Sequence, residues 1–260
     1  MKQLLTRAKG LVAKATVLFA AAFLCSCAPS IKDLNASKSM DFPSLYEELE
    51  KADVIIIGEK HDIKKHHAWE KELVSNLLQS RPGLCVLLEM LPEKGEIKQE
   101  LEDSQMALGW NKRWSWEQYK ELAIFLHKNA TCLGGLALSK EELNTIKEGA
   151  QPLSGNLSTS KEVKEGIKEL IEKAHGKSMK PDEKMLSYFV DAQLFKDRRA
   201  ADLALQKRPS LLIVGRVHAD KSLGIPLHIQ DYLDEKGEKL VVKSLLLGDA
   251  SSSQADFVIK

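Results

Sequence analysis

Three stretches of the sequence place a Glu or a His directly after an apolar run. These side chains are Glu59 and His61 after the run at 54–57, Glu89 after the run at 84–88, and His218 after the run at 210–214. A carboxylate beside an imidazole can fix the tautomer of the ring or move its pKa toward neutrality. The pattern therefore predicts a general base, a metal ligand or an axial ligand of a bound group.

Apolar runs alternate with helical periodicity along most of the chain. We predict strands at 53–57, 84–90, 130–138, 210–215 and 240–247, with the segment FVI near the end as an edge strand. We predict helices at 64–79, 114–129, 183–206 and 227–235. Strands separated by helices indicate an α/β fold, in which a parallel sheet is flanked by helices on both faces. Since the carboxyl ends of parallel strands share one rim, we expect the side chains that follow the strands to line one crevice.

The chain divides by composition into a leader, a tether and one large domain. We predict an export signal at 1–27, a tether and lead-in segment at 28–50, and the α/β domain at 51–260. Residues from about 140 to 185 are rich in Lys and Glu and contain the irregular segment PLSGNLSTS, with no strand pattern. We therefore expect a smaller helical subdomain in the C-terminal half, which begins with a capping box at Ser139 and Glu142.

The first 27 residues have the layout of a bacterial export signal. They carry four basic side chains and no acidic one, and the apolar core from Ala15 to Cys25 is too short to be a permanent membrane span. The segment LCSC, which ends at Cys27, resembles a lipoprotein cleavage site. We expect Cys27 to be acylated, with palmitate among its chains, and to anchor the protein in the membrane. Ala28 favours the outer membrane over the inner membrane.

The charge balance argues against a nucleic-acid partner. The chain has 38 basic and 37 acidic residues, and loss of the signal removes four basic ones, so the mature chain is slightly acidic. A protein that binds the phosphate backbone needs a basic excess.

Several residues of reactive type have simpler interpretations. Cys85 and Cys132 each lie within an apolar run, which favours two buried thiols over a disulfide. We expect at least one of His66 and His67 on a solvated helix face. We place three further histidines on the surface and interpret the aromatic group as core packing. The histidines are His127, His175 and His228, and the aromatic residues are Trp110, Trp114, Trp116 and Tyr119.

Four motifs occur in an order that resembles the ChaN-like haem-binding lipoproteins. They are GEKHDIKKHH, LLEM, DAQLFKDRRAADLAL and GRVHADKSLGIP. The resemblance implies an iron-regulated outer-membrane lipoprotein that binds haem, as a pair of molecules across a homodimer, and exchanges it with a haem receptor or transporter. It places these residues at the haem site: Glu59, His61, His66, Glu89, Gln193, Asp197 and His218. Gln193 and Asp197 are four residues apart and so share one helical face.

The resemblance also implies that a Tyr holds the haem iron with a His nearby, because phenolate favours ferric iron. Tyr119 and Tyr188 are both candidates, and the sequence does not choose between them.

The same constellation supports a second hypothesis. Glu59, His61, Glu89 and His218 are also similar to the motifs of the erythromycin-esterase and Tiki-type hydrolases. In that case His61 or His218 would act as the general base, and Glu59 and Glu89 would orient it or hold a divalent metal. A third hypothesis is an envelope scaffold whose rim residues only satisfy helix ends.

Overall fold

The computed structural model of the protein describes residues 29–92, 108–175 and 181–260. Its strands are β1 (Ile31–Asp33), β2 (Lys38–Met40), β3 (Val54–Glu59), β4 (Cys85–Pro92), β5 (Cys132–Ala137), β6 (Ser210–Gly215), β7 (Val242–Leu247) and β8 (Phe257–Ile259). These strands form one sheet in the order β2-β1-β8-β7-β3-β6-β4-β5.

Helices cover both faces of this sheet. They are α1 (Phe42–Glu50), α2 (Lys64–Ser80), α3 (Trp116–Asn129), α4 (Lys140–Gly149), α5 (Lys161–His175), α6 (Glu183–Gln206) and α7 (Ile225–Lys236). Because side chains alternate along a strand, Ile55 and Ile57 pack in one core with α1, α2 and α3, while Val54 and Ile56 pack in another with α6 and α7. The prediction of an α/β fold with helices on both faces of a mostly parallel sheet is confirmed.

The centre of the sheet is parallel, which gathers several strand ends at one rim. β3 pairs in parallel with β6 and β7, and β4 pairs in parallel with β5 and β6. In this register Glu59 lies opposite Gly215, and Leu88 lies opposite Ile213. The segments that follow β3, β4 and β6 therefore leave the sheet side by side.

Residues 31–40 belong to the sheet, although the sequence indicated a tether and lead-in segment at 28–50. β1 pairs antiparallel with both β2 and β8, and Ser30 and Lys260 exchange backbone hydrogen bonds. The same pairing places β8 inside the sheet and not at its edge. Each of these strands has three residues. Such a short strand forms only because it pairs with strands distant in sequence, and local sequence patterns do not reveal that pairing.

Two helices, α4 and α5, lie between β5 and α6, and the described residues there contain no strand. Ser139 and Glu142 form the expected capping box at the start of α4. Val163 and Ile167 pack with residues of α6 in a small core apart from the two cores of the sheet.

The expected export signal at 1–27, with Cys27, lies outside the described residues. Across the ranges that the structure does describe, no helix is both long and apolar enough to span a bilayer.

Cys85 and Cys132 form a disulfide, so the prediction of two buried thiols was wrong. The two residues are partners in the parallel pairing of β4 with β5, and their Cα atoms are 4.6 Å apart. That distance lies within the range in which a disulfide can form. The apolar runs predicted both strands but not that they are neighbours.

Replacement of Cys85 and Cys132 together by Ala is expected to lower the free energy of unfolding by about 3–4 kcal/mol. The bond spans 47 residues, and opening a loop of this size returns entropy to the unfolded chain. Urea unfolding of wild type and variant, each with and without a reductant, measures the effect. The reductant should destabilise only the wild type. A wild type with the same free energy of unfolding in the presence and absence of reductant would contradict the disulfide.

Candidate functional site

Glu59 is the last residue of β3 and is only 1% exposed. Its Oε1 accepts hydrogen bonds from Nδ1 of His61, at 2.6 Å, and from the hydroxyl of Tyr119. Its Oε2 lies 3.1 Å from Nδ1 of His67. Burial acts to raise the pKa of Glu59, but its contacts with these three side chains outweigh burial and lower it to about 2. Glu59 is therefore a carboxylate at neutral pH.

The carboxylate of Glu59 sets the tautomer of His61. Because Nδ1 donates to Glu59, the lone pair of the ring is on Nε2. Nε2 faces the backbone of Gly215, where an added Cβ would lie 2.8 Å from it. The His61 side chain is 36% exposed. The rim thus presents an oriented imidazole lone pair, the arrangement found in general bases and in metal ligands.

One tryptophan lies next to this imidazole, and two more belong to the same aromatic group. The ring of Trp114 packs edge-on against His61, with 4.1 Å between ring centroids. Trp110 is buried against Trp116 and donates a hydrogen bond to the carbonyl of Trp114. Trp110 thus packs in the core as expected, whereas Trp114 is half-buried and lines the crevice described below.

His218 has both ring nitrogens beside carboxylates. Nδ1 lies 2.5 Å from Oδ1 of Asp197 and 2.8 Å from the amide nitrogen of Gln193. Nε2 lies 3.3 Å from Oε1 of Glu89. Burial acts to lower the pKa of His218, but the charges of Glu89 and Asp197 outweigh burial and raise it to about 10. His218 is therefore an imidazolium at neutral pH and has no lone pair to offer.

The pKa values of the two carboxylates around His218 shift in opposite directions. Burial acts to raise the pKa of Glu89, yet the charge and hydrogen bond of His218, with a 2.8 Å hydrogen bond from the backbone N–H of Gly215, hold it far below its usual range. Burial prevails at Asp197 and raises its pKa despite the same imidazolium. Glu89 is therefore a carboxylate beside the imidazolium of His218.

A crevice opens at this rim, with a space of about 550 Å³ including the part open to solvent. Glu89 and His218 lie among its lining residues. The basic side chains of Arg113 and Lys196 line it as well. Its apolar walls are formed by Trp114, Leu136, Ala137, Leu138, Leu143, Ala200, Val214 and Ile225.

The structure therefore brings together most of the residues that the sequence placed at one site. Glu59 and His61 stand on one side of Gly215, and Glu89, Gln193, Asp197 and His218 stand on the other.

His66 and His67 are both buried, although we expected at least one on a solvated face. Nδ1 of His66 accepts a hydrogen bond from the backbone N–H of Lys60, at 3.0 Å, so His66 holds the turn after β3. Burial lowers the pKa of His66 to about 4. His67 contacts Glu59 and Glu70, and our reasoning from sequence missed it. The available signal was its spacing of three residues from Glu70, which puts both on one helix face.

Tyr119 and Tyr188 occupy different environments. Tyr119 is 1% exposed. Burial, with the negative charge of Glu59, raises the pKa of Tyr119 well above its usual range. A phenolate at this position would face a buried carboxylate, so the geometry argues against Tyr119 as an iron ligand. Tyr188 lies half-buried on α6, with its ring against Phe189.

The remaining histidines divide between interior and surface. His175 is exposed as expected, and His127 is half-buried. His228 is 2% exposed, so its expected surface position was wrong. Its Nδ1 accepts a hydrogen bond from Nε of Arg198, because α6 covers this face of α7.

Comparison with known proteins gives one broad and close similarity. Residues 45–229 match the family described as haem-binding uptake, Tiki superfamily, ChaN. The structure is similar to that of ChaN of Campylobacter jejuni, described as cofacial heme binding, with a TM-score of 0.81 and 32% identity over 89% of this chain and 96% of that chain. A search of curated proteins gave no match.

Two more distant solved structures also match, with lower scores. A Bacillus cereus protein has a TM-score of 0.46 and 12% identity over 79% of this chain and 68% of that chain. An erythromycin esterase EreC mutant, H289N, in its open conformation, has a TM-score of 0.46 and 10% identity over 84% of this chain and 78% of that chain.

The stability of the protein is expected to fall as the pH rises from about 7 to about 10. The pKa of His218 is raised in the folded state above its unfolded value of about 6.5, so its stabilisation is complete below that value and is lost as the pH rises through about 10. The variant His218→Gln should be less stable by about 3 kcal/mol at neutral pH, because Glu89 loses its buried cation. Its stability should also decline less steeply above neutral pH.

Denaturant unfolding of wild type and variant at a series of pH values tests this expectation. Two parallel curves would show that His218 does not carry the pH dependence.

Proposed function

Since the chain belongs to the haem-binding uptake family of the Tiki superfamily, which includes ChaN, we propose that it binds haem in the crevice at the rim of its sheet. The observation that carries this proposal is the combination of an apolar-walled crevice with the oriented imidazole of His61 beside Trp114. A porphyrin is flat and apolar over most of its surface. The walls of this crevice are aliphatic and aromatic, which suits such a ligand.

The lining also suits the charged edge of haem. Haem carries two propionates, and Arg113 and Lys196 are the basic side chains among the lining residues. Arginine can bind a carboxylate through two parallel hydrogen bonds, and lysine adds a second positive charge. We propose that these two side chains bind the propionates.

We propose His61 as the iron contact. Its Nε2 carries a lone pair, and its Nδ1 donates to Glu59, which is the support that iron-binding and zinc-binding histidines commonly have. His218 cannot take this role while both of its nitrogens face carboxylates. Tyr188 is the tyrosine that stays a candidate for a second contact, because it is partly exposed.

The alternative function, a metal-dependent hydrolase, is less favoured by this geometry. It requires Glu59, His61, Glu89 and His218 to share one ion or one reacting group. His218 is an imidazolium between two carboxylates, so it has no lone pair with which to accept a proton. Only His61 among the two histidines has the free lone pair that a general base needs.

We further propose that the protein is an outer-membrane lipoprotein anchored through acylated Cys27 and that it serves iron acquisition. The disulfide between Cys85 and Cys132 supports export, since such bonds persist in oxidising compartments. The relative from Campylobacter jejuni is described by cofacial heme binding. We propose by analogy that two copies of this chain pair over haem and that a haem receptor or transporter exchanges it.

Hemin titration is expected to shift the Soret band of the wild-type protein at micromolar hemin. His61→Ala should weaken binding at least about tenfold and change the spectrum, because the iron loses its supported ligand. His175→Ala is the matched control, since it removes an exposed imidazole outside the crevice and should leave the titration unchanged. Sedimentation during the titration should show a change from one copy to two.

Each result of the titration has a defined meaning. A wild type without a spectral change would contradict haem binding, and a normal His61→Ala spectrum would contradict the assignment of the ligand.

Metabolic labelling with palmitate is expected to mark the full chain and not its Cys27→Ser variant. The variant should leave the membrane fraction, because it has lost its acyl chains. Equal labelling of both chains would contradict the proposed anchor.

A further inference from the structure

Three ionisable side chains form a second, deeper group behind His61. They are Glu59 of β3 and His67 and Glu70 of α2, and we call them the buried triad. Their exposed fractions are 1%, 4% and 0%, so water contributes little to their solvation. The haem proposal uses only Glu59 from this group, and only through its Oε1.

The buried triad has the spacing of a metal site. Nδ1 of His67 lies 3.1 Å from Oε2 of Glu59 and 3.3 Å from Oε2 of Glu70. Two ligand atoms that each lie about 2.0–2.2 Å from a zinc ion are about 3–3.5 Å apart. One atom from each of the three residues can be chosen so that all lie within 4.8 Å of one another. A small rotation of the two carboxylates would close the group around one ion.

The tautomer of His67 points to the same conclusion. Its Nε2 lies 3.2 Å from the backbone carbonyl of His61. A carbonyl only accepts hydrogen bonds, so Nε2 must carry a hydrogen, and Nδ1 is the nitrogen that lies between the two carboxylates. A histidine whose other nitrogen donates to a backbone carbonyl is the usual form of a metal ligand.

An unpartnered oxygen gives independent support. Oε1 of Glu70 is buried and has no hydrogen-bond partner. A buried carboxyl oxygen without a partner is costly. A divalent cation would bind such oxygens and neutralise both carboxylates.

The group also has an access route. His67 lines a surface depression between α2 and α3, together with Lys64, Lys71, Glu117 and Glu121. A hydrated ion can therefore reach the imidazole without passing through the haem crevice.

We propose that Glu59, His67 and Glu70 bind one divalent cation of the zinc type. Imidazole nitrogen and carboxylate oxygen are donors that zinc and neighbouring transition metals accept. Binding takes the proton from Nδ1 of His67 and releases it to solvent, so the metal replaces hydrogen bonds inside the triad. The ion also fixes the carboxylate of Glu59, which in turn orients His61.

Metal binding by the full chain, purified in detergent and treated with a chelator, tests this proposal. Titration with Zn²⁺ should give one bound equivalent and raise the thermal midpoint, and Co²⁺ should give visible absorption bands typical of nitrogen and oxygen ligation. Glu70→Gln keeps the shape of the side chain and removes its charge, so it should weaken binding at least about tenfold. Glu72→Gln is the matched control, because Glu72 is exposed on the same helix.

The possible results separate a metal site from a network held together by protons. Zinc binding that survives in Glu70→Gln, or that is lost equally in Glu72→Gln, would overturn the proposal. A wild type that binds no equivalent of Zn²⁺ or Co²⁺ would also overturn it and would identify the triad as a proton-sharing network. Neither result depends on hemin, so failure here leaves haem binding unaffected.

Discussion

The site depends on one buried carboxylate, Glu59, at the end of the central strand β3. A buried negative charge is stable only when hydrogen bonds and positive charge surround it, and Glu59 obtains them from Tyr119, His61 and His67. These partners come from α3, from the turn after β3 and from α2. One charge therefore fixes the positions of three segments relative to the sheet. It also gives each imidazole a defined orientation, which neither would have in solvent.

Two imidazoles of the same rim have opposite properties because their partners differ. His61 meets a carboxylate at one nitrogen only, which leaves the other nitrogen with a lone pair facing Gly215. His218 meets a carboxylate at each nitrogen and is held as a cation. The register of the parallel strands produces this contrast, since it sets the end of β3 beside the end of β6 and aligns β4 with the other side of β6. The rim thus places an imidazole lone pair and a fixed positive charge near Gly215.

The sequence predicted the parts of this arrangement that are local. Helix α6 and strand β6 have the predicted bounds. Helical periodicity of apolar residues over a long segment is enough to predict the helix, and a short apolar run is enough to predict the strand. The meeting of Glu59, Glu89 and His218 also followed, because all parallel strands end at one rim. Strand order was not readable, and the disulfide of Cys85 with Cys132 and the pairing of β1 with β8 both depend on it. His67 was missed because its partner Glu59 belongs to another element.

Strand β5 shows how the fold supports the crevice wall. Among the residues that the structure describes, β5 is the last strand of the sheet and has β4 as its one neighbouring strand, yet Leu136 and Ala137 at its end line the crevice. An edge strand with one partner is the part of a sheet that opens most easily. The disulfide joins the start of β5 to β4, and Gly135 packs so closely on the carbonyls of Leu91 and Pro92 that a Cβ would overlap them. A covalent bond at one end and close backbone packing at the other thus hold the wall at a fixed distance from Glu89 and His218, which a rigid, flat ligand requires.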